Sequence, residues 1–505
     1  MRPLRDPVPA RGRLSGGRFW PPASVVGELE VRSPADPADL VGVFPFGAED
    51  VEEAVAAAAR AARPWGASAV RERVAALSRL RPELQRRAPE LVACLARETG
   101  RPLWECQREV QGLIGRLDQT LEAAPEQLAD RVWPDLPARV ASRPLGVVVV
   151  IGPAMLPLST SHTHIVAGLA AGNAVVWKPS PLCPASAQLY AQALHDADLP
   201  PGVVNVIFGD DQVGEALATH PRADAVVFTG RAANGARLRR LLLERYDLRL
   251  HLHLSAKNAA VVLEDANLEL AAYEVATSAF QSAGQRCTAT SRVLVHTAVL
   301  EEFLALLTAQ CLQLRIGPPE TEAFMGPLLS AARMEQFIAH RDAARADGAE
   351  VIVPGERLDR PGWFVSPSIH LIGQDRRRPD SVYQQQELFG PDLCVYPVRD
   401  IDEAFALCDG TDYGLCAALF SDTPLRWKRF TEEIRAGALF WNRGTASPSG
   451  LLPFGGEKRS GHGARGGADA VLALRREVSL LGRTSEAVER LPGTQQPQQP
   501  RTQLD

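Results

Sequence analysis

Two segments carry side chains at spacings that could do chemistry. In SAGQRCT, Cys287 follows Gly284 and small neighbours that leave a sulfur accessible. A thiolate there could attack a carbonyl carbon and become a thioester, provided that its surroundings lower its pKa. An inert core cysteine is the plain alternative. In FTGRAANG, a short apolar run gives way to Thr229, Gly230 and Gly235. Such a junction brings backbone close to a helix N-terminus, whose unpaired N–H groups favour a phosphate, and an ordinary strand-to-helix turn reads the same way. The glycines at 461, 463 and 466 match the spacing of a dinucleotide fingerprint, but no buried strand precedes them and the match is set aside.

These segments need elements to hold them. VVVVIG, from Val147, is a β-branched run bounded by Gly152 and Pro153, the pattern of a strand buried on both faces. Further runs end at Trp177, Phe208 and Phe228, followed by AAVVLE and RVLVH, with helical stretches between them. That alternation predicts right-handed βαβ units and a doubly wound parallel sheet. A second alternating block occupies roughly 254–440. Upstream, residues 48–62 read as a helix that Pro64 ends, with more helix to about Asp118.

The chain has 505 residues, enough for two or three domains, and a formal net charge of −5, which gives no global pull toward nucleic acid or an anionic membrane. Neither a signal core nor a run of about 18 apolar residues is present, so a cytoplasmic protein is expected. Eight scattered cysteines form neither a disulfide framework nor a metal-ligand spacing. They are expected to be reduced and mostly buried, and no metal is expected. The Pro/Gln-rich tail, 491–505, is expected to be disordered.

Six ordered motifs resemble those of the aldehyde dehydrogenase superfamily: GPAMLP at Gly152, AGNAVVWKPS at Ala171, FTGRAANG at Phe228, GQRC ending at Cys287, ELFGP at Glu387 and PFGGEKRSGHG at Pro453. Within it, ETGRPLWECQREVQGLIGRLD and HIVAGLAAGN resemble the succinylglutamate-semialdehyde dehydrogenases of arginine catabolism. The resemblance implies an α/β fold with a Rossmann-like doubly wound cofactor domain (1–130 and 142–252) and an α/β catalytic domain (253–442). It also implies an active-site mouth loop (443–465) with Gly455, Gly456, Lys458 and Ser460, and a small oligomerisation sheet (131–141 and 466–490) that makes a homodimer or homotetramer.

By that resemblance Cys287 is the nucleophile in NAD- or NADP-dependent oxidation of a small-molecule aldehyde. It would form a thiohemiacetal, then a thioester that water hydrolyses. Lys178 and Ser180 would hold the adenosine ribose; Thr229, Gly230, Arg231 and Gly235 the pyrophosphate; Glu387 and Phe389 the nicotinamide ribose and ring. Met155, His164, Asn442 and Phe454 would surround the substrate and its oxyanion.

Four positions depart from the family pattern. Met155 replaces an asparagine that donates to the oxyanion, and a thioether cannot donate. His253 replaces the glutamate that activates water. An imidazole could substitute as base or merely fill the space, and Ser255 with Ala256 in place of a glycine pair is expected to perturb this strand end. Pro181 replaces a carboxylate that selects against the NADP phosphate. Arg231 replaces a small serine, where it could pair with a phosphate or obstruct one. A degenerate relative that binds nucleotide with little or no dehydrogenase activity is therefore the alternative reading. Release of the thioester to coenzyme A is a third.

Overall fold

The computed structural model describes residues 6–133, 138–378, 381–446, 448–463, 466–482 and 492–494. The run from Val147 forms a strand, Val147–Ile151, in which every residue is buried. Apolar, β-branched side chains suit a strand packed on both faces, and each contributes roughly 1.5–3 kcal/mol of transfer free energy. It lies mid-sheet. The order is Arg18–Trp20, Arg13–Ser15, Val204–Val206, Ala174–Lys178, Val147–Ile151, Ala225–Thr229, Arg249–His253, Gly461–His462. The central strands from Val204–Val206 to Arg249–His253 are all parallel, and antiparallel pairs close both edges.

The order of strand addition reverses beside Val147–Ile151: the next two strands step to one side, and Ala225–Thr229 and Arg249–His253 to the other. Ligands of doubly wound sheets bind beyond the carboxyl ends at such a switch point. Here those ends are Gly152 onward and Thr229 onward.

A second sheet runs Glu350–Pro354, Ser368–Leu371, Asp392–Val398, Thr290–His296, Asn258–Val262, Cys416–Phe420, Ala438–Trp441. It is parallel except at the Glu350–Pro354 edge. A third, antiparallel sheet joins Arg131–Trp133, Ala138–Pro144 and Arg475–Leu481, from Arg475 opposite Pro144 to Leu481 opposite Ala138. Positions 134–137, 447, 464–465 and 483–490, within the expected oligomerisation and mouth segments, and most of the tail at 491–505 lie outside the described residues.

Pro64 does not end the first helix, which spans Asp50–Ala67 with Pro64 inside it. The buried Trp65 indole donates to the Leu169 carbonyl at 2.9 Å and anchors the last turn onto the sheet's helical layer, which offsets the backbone hydrogen bond that proline forgoes. The helical region also runs further than expected, through Leu103–Gln127. An antiparallel pair, Val25–Ser33 with Asp36–Gly47, precedes it.

Candidate active site

Lys178 ends the strand Ala174–Lys178 and is 2% exposed. Its ammonium makes one long hydrogen bond, to the Pro179 carbonyl at 3.4 Å. Burial lowers its pKa to about 8, and Asp211 and Asp210 oppose that shift. An enclosed ammonium with donors to spare fits ribose hydroxyls. Ser180, also buried, caps the next turn by accepting from the Leu182 N–H at 3.2 Å.

At the other side of the switch point, the Gly230 N–H donates to the His253 carbonyl at 3.0 Å. Helix Ala232–Leu241 follows, with Arg231 at its N-cap and no side-chain cap. Gly235 is required by close packing, since a Cβ there would lie 2.6 Å from the Leu254 side chain. Arg231 is exposed and donates across to the Gln336 side chain at 3.1 Å, on helix Ala331–Ala346. One donor of the helix end is already taken: the Ala232 N–H bonds the Ser255 hydroxyl at 3.1 Å.

The nucleophile segment is strained. Ser282, Ala283 and Gly284 have φ of 56°, 54° and 65°. Left-handed non-glycine residues cost on the order of 1–3 kcal/mol each and persist only where the surroundings impose them. Gly284 also has no room for a side chain, as a Cβ would sit 2.2 Å from the Gly390 carbonyl oxygen. The restraint comes from helix Leu103–Gln127. The fully buried Glu105 carboxylate accepts from the Ser282 hydroxyl at 2.8 Å and from Arg286 Nη2 at 2.9 Å, while Arg286 Nε donates to the Ser282 hydroxyl at 2.8 Å. Gln285 donates to the Pro327 carbonyl and accepts from the Leu329 N–H at 3.0 Å. Asn258 Nδ2 donates to the Cys287 carbonyl at 2.8 Å.

Cys287, Glu387 and Phe389 line one cavity, together with Ala256, Lys257 and Arg286. All eight cysteines are free, and Cys287 alone is not fully buried. Enough protein surrounds its sulfur that burial pushes the thiol up to about 12, with the Glu387 carboxylate adding to the shift and Arg286 opposing it. The group therefore rests as a thiol, and a cation placed beside it would favour the thiolate.

Glu387 is held by the Ala256 N–H at 3.0 Å and by the Ser255 hydroxyl. Ser255 and Ala256 thus bind Glu387 and tie it to the helix at Ala232. Burial raises the Glu387 pKa, and Arg333 and Lys257 counter it. Phe389 has a φ of 57°, and the Arg333 guanidinium lies 4.8 Å from its ring centre. Burial, with repulsion from Arg231, lowers the Arg333 pKa to about 10. Arg333 and Gln336 carried no motif signal, and Glu105 lies within the ETGRPLWEC stretch without having been singled out.

The remaining expected residues gather elsewhere. His253 ends strand Arg249–His253, and its ring lies 4.8 Å from that of His164, tilted by 32°. Gly466 makes room for this pair, since a Cβ would lie 3.0 Å from His164 and 3.4 Å from His253. Burial lowers the His253 pKa to about 4 and that of His164 well below its usual value, so both rings are neutral near pH 7. Neither lines the Cys287 cavity. Met155 is buried. Phe454 and Cys287 pack on the same small apolar cluster of Ala256, Leu415 and Cys416. The Asn442 amide faces the Ser421 backbone, accepting its N–H at 3.1 Å and donating to its carbonyl at 3.2 Å.

Among the described residues no group of three or more His, Cys, Asp or Glu is placed to hold a metal ion, and no helix is long and apolar enough to cross a membrane.

The N-succinylglutamate 5-semialdehyde dehydrogenase of Paraburkholderia xenovorans is 36% identical over 420 residues, 82% of this chain and 85% of that protein. Aldehyde dehydrogenase C of Pseudomonas syringae, solved with NAD+ and octanal, superposes with a TM-score of 0.90 at 28% identity over 96% of this chain and 100% of that one. The NADP-dependent glyceraldehyde-3-phosphate dehydrogenase of Bacillus halodurans, solved with NADP, gives 0.87 at 28% identity over 93% of this chain and 98% of that one. The model of the aldehyde dehydrogenase family matches residues 20–477, and the chain belongs to that family.

Proposed function

We propose that this protein oxidises an aldehyde to a carboxylate with NAD or NADP as acceptor, through a thioester on Cys287. The observation that carries the reading is the shared cavity of Cys287, Glu387 and Phe389. Lys178 and Ser180 suit one ribose. Glu387, with one oxygen engaged by Ala256, has lone pairs left for the other ribose diol. The first turn at Ala232, with Arg231 beside it, suits the pyrophosphate. A bound nicotinamide supplies the hydride acceptor, and its positive charge would lower the Cys287 pKa.

Cys287 adds to the carbonyl carbon as thiolate, holds the acyl group as a thioester after hydride loss, and is freed when water attacks that carbon to give the acid. His253, neutral near pH 7 but outside the cavity lining, would take the proton from that water only where the water bridges the two. The substrate is a semialdehyde such as succinylglutamate semialdehyde, a reading supported by the relative named above. With Pro181 in place of a carboxylate, nothing at that position selects against NADP. Exposed Val132 and Trp133 on one outer strand of the third sheet and exposed Leu481 on the other support a homodimer or homotetramer, because exposed apolar side chains of this kind mark a surface that a partner could cover.

Following NADH or NADPH absorbance with succinylglutamate semialdehyde tests the reading: a rise in the wild type that is absent from Cys287→Ala is expected, and equal traces would reject it. The second reading, nucleotide binding with little turnover, draws on Met155 and on the position of His253 outside the cavity. Calorimetric cofactor binding without any absorbance change would favour it.

A further inference from the structure

Helix Leu103–Gln127 does more than restrain the nucleophile. Its residue Arg116 is half-buried, and its guanidinium donates to the Gly450 carbonyl. Among the described residues it has no carboxylate partner. Burial lowers its pKa with no opposing negative charge, and the nearby His162 and His164 feel it as a like charge. A partly desolvated cation without a counter-charge is costly unless something anionic arrives to pair with it.

Its location says what that is. Gly450 begins the stretch that runs through the exposed Leu451 and Leu452 to Phe454, and Phe454 packs with Cys287 on one apolar cluster. The four-residue step from Gly450 to Phe454 spans at most about 14 Å of chain. Along the helix, Glu105, which holds the residue before Cys287, lies eleven positions ahead of Arg116, or about 16 Å of axis. Both routes tie Arg116 to the surroundings of Cys287: through Gly450 to the loop that ends at Phe454, and through its own helix to Glu105.

We propose that Arg116 binds a substrate carboxylate remote from the reacting aldehyde, and so selects long acidic aldehydes over neutral ones. The proposal rests on the aldehyde-oxidation reading for its kinetic arm only. Arg116→Gln keeps a donor for Gly450 and removes the charge. Losing a charge-assisted pair predicts a KM for succinylglutamate semialdehyde raised roughly tenfold to a hundredfold, with octanal kinetics unchanged. In calorimetry, succinylglutamate should bind the wild type and bind Arg116→Gln at least about tenfold more weakly, a result that needs no turnover. Equal losses for both aldehydes would mean that Arg116 only pins the loop, and that overturns the proposal. So would equal binding of succinylglutamate by the two proteins, or none by the wild type. If no aldehyde is oxidised but the calorimetric difference appears, the enzymatic reading fails and the carboxylate site stands.

Discussion

Around Cys287, hydrogen bonds from other elements fix each neighbour: Gln285 to Pro327 and Leu329, Arg286 to Glu105, Glu387 to Ala256. Around His253 the described ring contact is a tilted stack on His164, with Gly466 leaving the space. A hydrogen-bonded shell sets position and direction together, whereas apolar or stacked packing tolerates a change of side chain if volume is kept. The half of the site that would form the thioester is the one built with directional bonds. The half that would stabilise the oxyanion and release the acid holds two of the four departures, Met155 and His253. The two halves should therefore differ in rate, with acylation outpacing release.

Breaking the first half gives the largest expected effect. Cys287→Ala removes the nucleophile and should lower turnover roughly a thousandfold or more, measured as steady-state NADH formation. Repairing the second half comes next. Met155→Asn offers the oxyanion an amide donor, and one such donor is worth about a hundredfold when well placed. An increase of about tenfold or more in kcat is expected, and no change would show that the backbone at this loop already suffices. Glu105→Gln sharpens the comparison from the structural side. It leaves Arg286 without its buried counter-charge, so unfolding should cost about 3 kcal/mol less, read as a lower midpoint in denaturant.

The smallest effect is the pH dependence of release. The His253 pKa is lowered to about 4, so the ring is a free base above that pH and protonated below it. Steady-state turnover should stay flat through pH 6.5 and fall only as pH drops through about 4, in an assay on a protein still folded there. A fall centred near 6.5 would mean that a solvated histidine, not this one, is the base.

Much of the framework was legible in the sequence because strands buried on both faces are apolar along most of their length: Val147–Ile151, Ala174–Lys178 and Ala225–Thr229 stand close to where their runs place them. Gly284 was also readable, since its motif predicts the close approach that Gly390 makes. The half-exposed strands Val25–Ser33 and Asp36–Gly47 were missed for the opposite reason, as their exposed positions dilute any apolar run. Pro64 misled because a local breaker was overridden by the Trp65 anchor. The left-handed turn at Ser282 and Ala283, the Ser255 link to Glu387, and Arg333 over Phe389 were out of reach. Each is imposed by a partner far away in sequence, and no local spacing encodes it.

Rapid mixing of enzyme, cofactor and aldehyde, followed by acid quench and peptide mass mapping, tests the central claim most directly. A burst of reduced cofactor approaching one equivalent per site, with the acyl mass on the peptide containing Cys287 and a slower steady state after it, is the predicted result. Reduced cofactor formed with no adduct on Cys287, and formed equally by Cys287→Ala, would contradict it.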